Sequence, residues 1–406
     1  MPEVAGGDLY WDPFDVEIDR DPYAIWRRLR DEAPVYRNDA HDFWALSRFA
    51  DVEAAHREPT RFSSAHGTVL ELMGPERLRG TDMMIFEDPP EHTRLRALVS
   101  KAFTPRRVRE LEGRVRELCV AFLEPHVGGA GFDFLADFGA RLPAMVIASL
   151  LGVPLEDQER VRTLIDTVFH LEEGVGMHND TSMTATMELA AYLEEQLAQR
   201  RAAPRDDMLT DLVQVETVDA SGDARPLTRS ESLGFALLLI SAGTETVARL
   251  LGWAAVVLAE HPDQRAELVA DPALVPPAIE ELLRFQAPSP VQGRWLTEAV
   301  TLHGVTIPAG SKVLLLTGSA GRDERKYPDA DRFDIHRALD HHVAFGFGIH
   351  FCLGAALARL EGRVALEETF KRFPEWEVDH ARAVRLHTST VRGYARVPIL
   401  LGAQSA

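Results

Sequence analysis

The sequence predicts a mainly α-helical chain with a small β portion. Three observations carry that reading. Leu233–Glu260 is a long apolar helical run, helical spacing fills most of 90–260, and strand-like pieces lie mainly in stretches near 30–70 and 295–320. The first strands are Pro34–Arg37 and Asp42–Ser47, short aromatic and aliphatic runs between polar residues. Arg106–Glu117, Arg141–Leu151 and Glu188–Arg200 carry apolar residues at three- and four-residue spacing, which is one helical face. Pro154, Pro204 and Pro262 fall near helix ends, where a missing N–H is tolerated. Gly174 and Gly176 mark a loop between two helices. Leu233–Glu260 is apolar nearly all round, as a buried central helix is. Glu245 and Arg249 interrupt it and argue against a membrane span. Val300–Leu315 reads as strands separated by the turn Ile307-Pro308-Ala309-Gly310. No Pro/Gly/Ser-rich linker divides the chain, so one domain over 1–406 is expected.

Charge excludes some function classes. Lys and Arg total 44 against 63 Asp and Glu, a formal net charge of −19. A nucleic-acid binder needs a basic face, and anionic membranes attract basic segments. Met1–Arg30 is rich in charge and holds neither an apolar span nor a signal-peptide core. Two cysteines in 406 residues give no disulfide framework. The expectation is a soluble cytoplasmic protein without a membrane anchor, monomeric by default.

Cys352 lies in Phe345-Gly346-Phe347-Gly348-Ile349-His350-Phe351-Cys352-Leu353-Gly354, and the helix-like run Ala355–Glu361 follows. Backbone N–H groups of such a turn and of a helix N-terminus point at the sulfur, lower the thiol pKa and favour the thiolate. A thiolate held this way suits the axial position of haem iron. Gly346 and Gly348 allow positive φ, and Gly354 lets backbone approach a flat macrocycle. Phe345, seven positions before the cysteine, shields the sulfur from water. A zinc site would need three more ligands close by, and the only other cysteine is the distant Cys119.

The segment resembles the cysteine loop of the cytochrome P450 family, F-x-x-G-x-[H/R]-x-C-x-G, at every position. The resemblance implies the P450 fold, with haem b between the long central helix and the helix after the cysteine loop (345–354), and Cys352 as the iron ligand. It covers essentially the whole chain in family order. Ala242-Gly243-Thr244-Glu245-Thr246 is similar to the family's oxygen-binding motif. By that similarity the helix opens at Ala242 and Gly243 to admit dioxygen. Thr246 hydrogen-bonds the reacting oxygen, and Glu245 relays protons. Glu281 and Arg284 fit the structural E-x-x-R motif, with Arg337 as third partner. His92, Arg96, Arg294 and His350 match positions that hold the haem propionates, a task suited to guanidinium forks. Gly321 stands where the family commonly has Asn.

The resemblance also implies a soluble bacterial haem-thiolate monooxygenase that inserts one oxygen atom of O2 into an apolar small molecule. The alternatives are a peroxide-driven peroxygenase and a non-catalytic haem sensor or carrier. The sequence shows no Walker A motif and no iron–sulfur cysteine cluster, and Phe351 breaks the dinucleotide fingerprint after Gly348. Electrons are therefore expected from a separate ferredoxin and ferredoxin reductase. Lys101, Arg106, Arg107, Arg109, Arg359 and Arg363 are candidates for a basic docking patch. Substrate contacts are expected from 68–84, 169–187, 238–242, 289–292 and 390–392. Met73, Met83, Met84, Met177, Met183 and Met187 suggest a plastic apolar pocket.

Overall fold

The structure is a computed structural model and describes residues 9–78, 83–100, 105–168, 179–218 and 224–402. Lys101, Gly174, Gly176 and Met177 of the expectations above lie outside them. The long helix spans Arg229–Glu260. It starts four residues before the apolar run because its entry is polar. The Thr228 hydroxyl accepts from the Glu231 N–H at 3.1 Å, and Glu231 accepts from the Thr228 N–H at 2.7 Å. That reciprocal cap satisfies two donors that a helix start would otherwise leave open. Helices Arg141–Leu151 and Asp180–Ala202 and the helix Ala355–Arg372 pack against it. The stretches Phe134–Leu151 and Arg229–Glu260 are long and apolar enough to cross a membrane, but 61% of each is buried within the protein. Their hydrophobicity therefore serves the core.

The main sheet runs in the order Val35–Asn38, Phe43–Leu46, Lys312–Leu315, Gln292–Leu296, Phe62–Ser63. All neighbours are antiparallel except Lys312–Leu315 beside Phe43–Leu46. The strands thus occupy the two stretches that the sequence marks. Strands outside those stretches were not foreseen: Gly131–Asp133, Glu216–Val218 with Ala224–Pro226, and Glu377–Val378, Val384–His387, Arg392–Arg396 and Pro398–Leu400 near the C-terminus. Nor was the hairpin in which Val300–Leu302 pairs with Val305–Ile307 around His303 and Gly304, both at positive φ. That is the backbone a two-residue hairpin demands. The expected helix over 106–117 is in fact two, Pro105–Glu110 and Glu112–Leu123. At Leu111 the N–H bonds back only three residues, to Val108, and tightens the turn between them.

The cysteine side of the fold hangs on a buried ion cluster. Arg284 grips Glu281 with two bonds of 2.7 Å. Glu281 also accepts from Arg337 at 3.1 Å and from the Asp334 N–H at 3.0 Å. Arg284 donates further to the carbonyls of Gly321 and Ala330. A Cβ at position 321 would lie 2.4 Å from the Arg284 carbonyl, which explains glycine there. Both members of the pair are essentially without solvent exposure. Arg284→Ala strands a buried carboxylate and is expected to cost about 3–5 kcal/mol. Arg337→Ala is expected to cost about half as much, because Arg284 still holds Glu281. Denaturant titration of the two variants checks the order.

Candidate functional site

One cavity of about 390 Å³ brings most of the predicted residues together. Arg96, Ala242, Gly243, Thr246, Arg294, Phe345, His350, Cys352 and Gly354 all line it. The cysteine loop is closed by the Cys352 N–H donating to the Phe345 carbonyl at 2.9 Å. Gly346 and Gly348 have φ of +68° and +69°. A Cβ at Gly348 would meet the His56 carbonyl at 2.4 Å, so helix Phe49–Arg57 presses directly on the loop. Gly354 faces open space: a Cβ there would meet no other group of the described residues within 4 Å. The Arg359 guanidinium lies 4.6 Å over the Phe345 ring and bonds Glu280 through two nitrogens.

The expected depression of the Cys352 thiol is not the net result. Burial pushes it up, and the Gly354 N–H, Arg96 and Arg359 only partly offset that. The turn and helix N-terminus contribute one donor, which does not outweigh loss of water.

The edge of the cavity gathers cationic and imidazole groups. His92 and Arg96 lie one turn apart on Glu91–Ser100. Arg96 donates to the Phe351 carbonyl at 2.7 Å, tying that helix to the cysteine loop. On its other side Arg94 bonds Glu231 at the start of the long helix. The His92 and His350 rings meet at a tilt with centroids 4.1 Å apart. Arg294, on strand Gln292–Leu296, is buried and donates to its neighbour's carbonyl at Gly293. Burial lowers its pKa to about 10, with Asp88 opposing. Both ring nitrogens of His92 and Nε2 of His350 have no partner among the described residues. Each such orphan costs about 1–3 kcal/mol. Asp88 is itself engaged by the Ser63 hydroxyl and the Ser64 N–H. Arg96, Arg294 and His350 line the cavity, while His92 does not line it and packs on the His350 ring; as a set these groups suit the two carboxylates of a haem.

One prediction about the long helix, that it opens at Ala242 and Gly243, is corrected. It runs as unbroken α-helix through Ala242–Thr246. The Thr244 and Thr246 hydroxyls donate to the carbonyls of Ile240 and Ala242, the i−4 back-bonding common for threonine inside a helix. Thr246 reaches the cavity, but Glu245 does not line it. Glu245 is buried against Arg249 at 2.7 Å, and Arg249 in turn bonds the Tyr394 carbonyl. Burial raises the Glu245 pKa while Arg249 lowers it.

The methionine expectation also fails in part. Met84 lines the cavity, whereas Met73 packs beside Trp11 and Trp26, against Gly293. Met183 and Met187 are exposed on Asp180–Ala202. Most of the candidate docking arginines are ion-paired. Arg106 meets Glu110, Arg107 meets Asp211, and Arg363 meets Glu112 and Glu367.

Two residues were missed. Glu361 lines the cavity, and its fully buried carboxyl sits well above the usual range, with Oε2 unpartnered among the described residues. His56, at the end of Phe49–Arg57, is buried with both ring nitrogens likewise unpartnered. Its signal was a histidine on the face shared by Phe49 and Val52.

A cysteine lining a mostly apolar cavity, with arginine and imidazole groups along one edge, is suited to a haem held by a thiolate. Comparison agrees. The family profile "Cytochrome P450" matches residues 46–398. Putative cytochrome P450 123 of Mycobacterium tuberculosis is 42% identical over 99% of both chains. Vitamin D(3) 25-hydroxylase of Pseudonocardia autotrophica is 38% identical over 100% of both. The corticosterone complex of CYP109E1 from Bacillus megaterium superposes with a TM-score of 0.84 at 31% identity, over 95% of this chain and 99% of that one. The chain belongs to the cytochrome P450 family. It is a haem b monooxygenase of bacterial type that uses O2 and a small-molecule substrate.

A pH dependence follows for the haem-free chain. Burial, then the charge of Arg96, lowers His92 from 6.5 to about 4, with Asp88 opposing. The unfolded chain therefore takes up this proton first as the pH falls, and folding weakens below 6.5. Between pH 6.5 and about 5, above the carboxylate range, the denaturant midpoint should fall. His92→Phe should make that fall shallower.

Proposed function

We propose that this chain oxygenates an uncharged, bulky, apolar molecule of sterol-like or similar size. The carrying observation is the composition of the cavity wall. Val69, Ile85, Ile147, Phe235, Leu238, Leu239 and Val391 are apolar, and Thr68, Ser289, Gln292 and Thr390 supply neutral polar groups. Among the described residues the charged lining groups are Arg96, Arg294 and Glu361. The two arginines belong to the cofactor edge in this reading, and Glu361 is held neutral by burial. A substrate carboxylate would find no free counter-charge. The relatives named for vitamin D(3) and bound to corticosterone support the same size class.

When bound, haem supplies reductive activation of O2 and delivery of one oxygen atom. The chain's residues place and protect that chemistry. Cys352 Sγ would ligate the iron, with Phe345 and the Arg359 guanidinium over it limiting water beside the sulfur. His92, Arg96, Arg294 and His350 would hold the carboxylates. Thr246 Oγ1 donates to the Ala242 carbonyl at 3.1 Å, so its lone pairs remain able to accept a bond from a protonated oxygen in the cavity. Glu245 can exchange protons with that site only when its pair with Arg249 opens. We infer electron supply by a separate ferredoxin and reductase, supported by the absence of flavin or iron–sulfur motifs in the sequence. We infer too a single-domain monomer in the cytoplasm, in keeping with two free cysteines.

Visible-spectrum titration tests the substrate class. Neutral sterols or secosteroids should give a blue Soret shift, and the matching hemisuccinate esters should bind at least about tenfold more weakly. Tighter binding of the acids would overturn the reading. With a substrate that turns over, Thr246→Ala should cut product per NADH by about tenfold and release hydrogen peroxide instead. Glu245→Gln should have the smaller effect.

A further inference from the structure

We propose that His56 is a further positioning residue for the haem: its imidazole donates an N–H to the carboxylate edge, beside Arg294 and behind the cysteine loop. The geometry is unusual for a histidine in a helix's last turn. The ring is buried, 4% exposed, and neither nitrogen has a partner among the described residues. A satisfied core histidine would bond a carbonyl or carboxylate, as His261 does with Val257 at 2.8 Å. The His56 backbone presses on Gly348, and its Cε1 lies 3.8 Å from where a Cβ of Gly346 would stand. The ring therefore flanks the loop that carries Cys352.

The charged and titratable neighbours point the same way. Arg294 is the charge that acts on His56, and His56 in turn acts on His350. With burial, Arg294 keeps His56 neutral, its pKa lowered to about 3. A neutral imidazole keeps one N–H donor and one acceptor. No carboxylate of the described residues bonds it. Three imidazoles and Arg294 thus share one region in which Asp88 is already bonded to Ser63 and Ser64. The haem carboxylates are the acceptors whose chemistry fits. The ring does not line the cavity itself. It acts at the rim, fixing the carboxylate that Arg294 receives.

The test uses the purified holoprotein and its His56→Leu and His56→Gln variants. Leucine removes the donor, and glutamine keeps an N–H. Transfer of haem to apomyoglobin should run about fivefold to tenfold faster for His56→Leu, with His56→Gln close to the parent. The propionate-bending band in the resonance Raman spectrum should move in His56→Leu and return in His56→Gln. An unmoved band and equal transfer rates in all three proteins would overturn the proposal. So would equal acceleration in both variants with the band unmoved, which is the signature of packing alone. A parent protein without a thiolate-type Soret band in its reduced carbonyl complex would instead contradict the haem-thiolate assignment itself.

Discussion

Two arginines and three neutral imidazoles gather near one cavity edge with almost no carboxylate to bond them. Burying Arg294 there, and leaving ring nitrogens of His92 and His350 without a partner among the described residues, is costly in a low-dielectric interior. The fold sustains the arrangement because an anion belongs to it. A haem presents two carboxylates on one edge and a flat apolar body behind, and the cavity has the same polarity: donors along one rim, aliphatic walls elsewhere. The other features of the site follow from holding that disc. Cys352 and the long-helix residues Ala242, Gly243 and Thr246 line the same cavity, where the first would hold the iron and the others would face the bound oxygen.

The surrounding scaffold explains how such a site stays in register. Arg96 and Arg94 fasten the same helix in two directions, to the cysteine loop and to the capped start of the long helix. The Glu281–Arg284–Arg337 cluster fixes the segment that leads toward the loop, using carbonyls of Gly321 and Ala330 as further acceptors. Removing one partner of such a buried pair is strongly destabilising, because it leaves the other charge uncompensated. Here these pairs define where Cys352 and the carboxylate-binding groups stand relative to one another.

Much of this was legible in the sequence because it is local. The glycine spacing around Cys352, the apolar run of the long helix and the Glu281/Arg284 interval each sit within one short stretch of chain. What escaped was set by tertiary neighbours. Glu245 was expected to relay protons, and its pairing with Arg249 one turn on is a tertiary detail that the motif alone does not show. The helix near Gly243 was expected to open, but it runs as unbroken α-helix. Methionines grouped in the sequence divide among cavity, core and surface. His56 belongs to the site only because Gly348 and Arg294 come to it from segments roughly 240–290 residues away.

The central claim is that a thiolate from Cys352 and a cradle for two carboxylates together define this protein. Its most direct test is the visible spectrum of the reduced carbonyl complex, for the parent and for Cys352→His. The account predicts the strongly red-shifted Soret band of thiolate-bound haem in the parent. In Cys352→His it predicts haem still bound, with the band of an imidazole ligand. A parent without the thiolate band, or a variant that keeps it, would contradict the account.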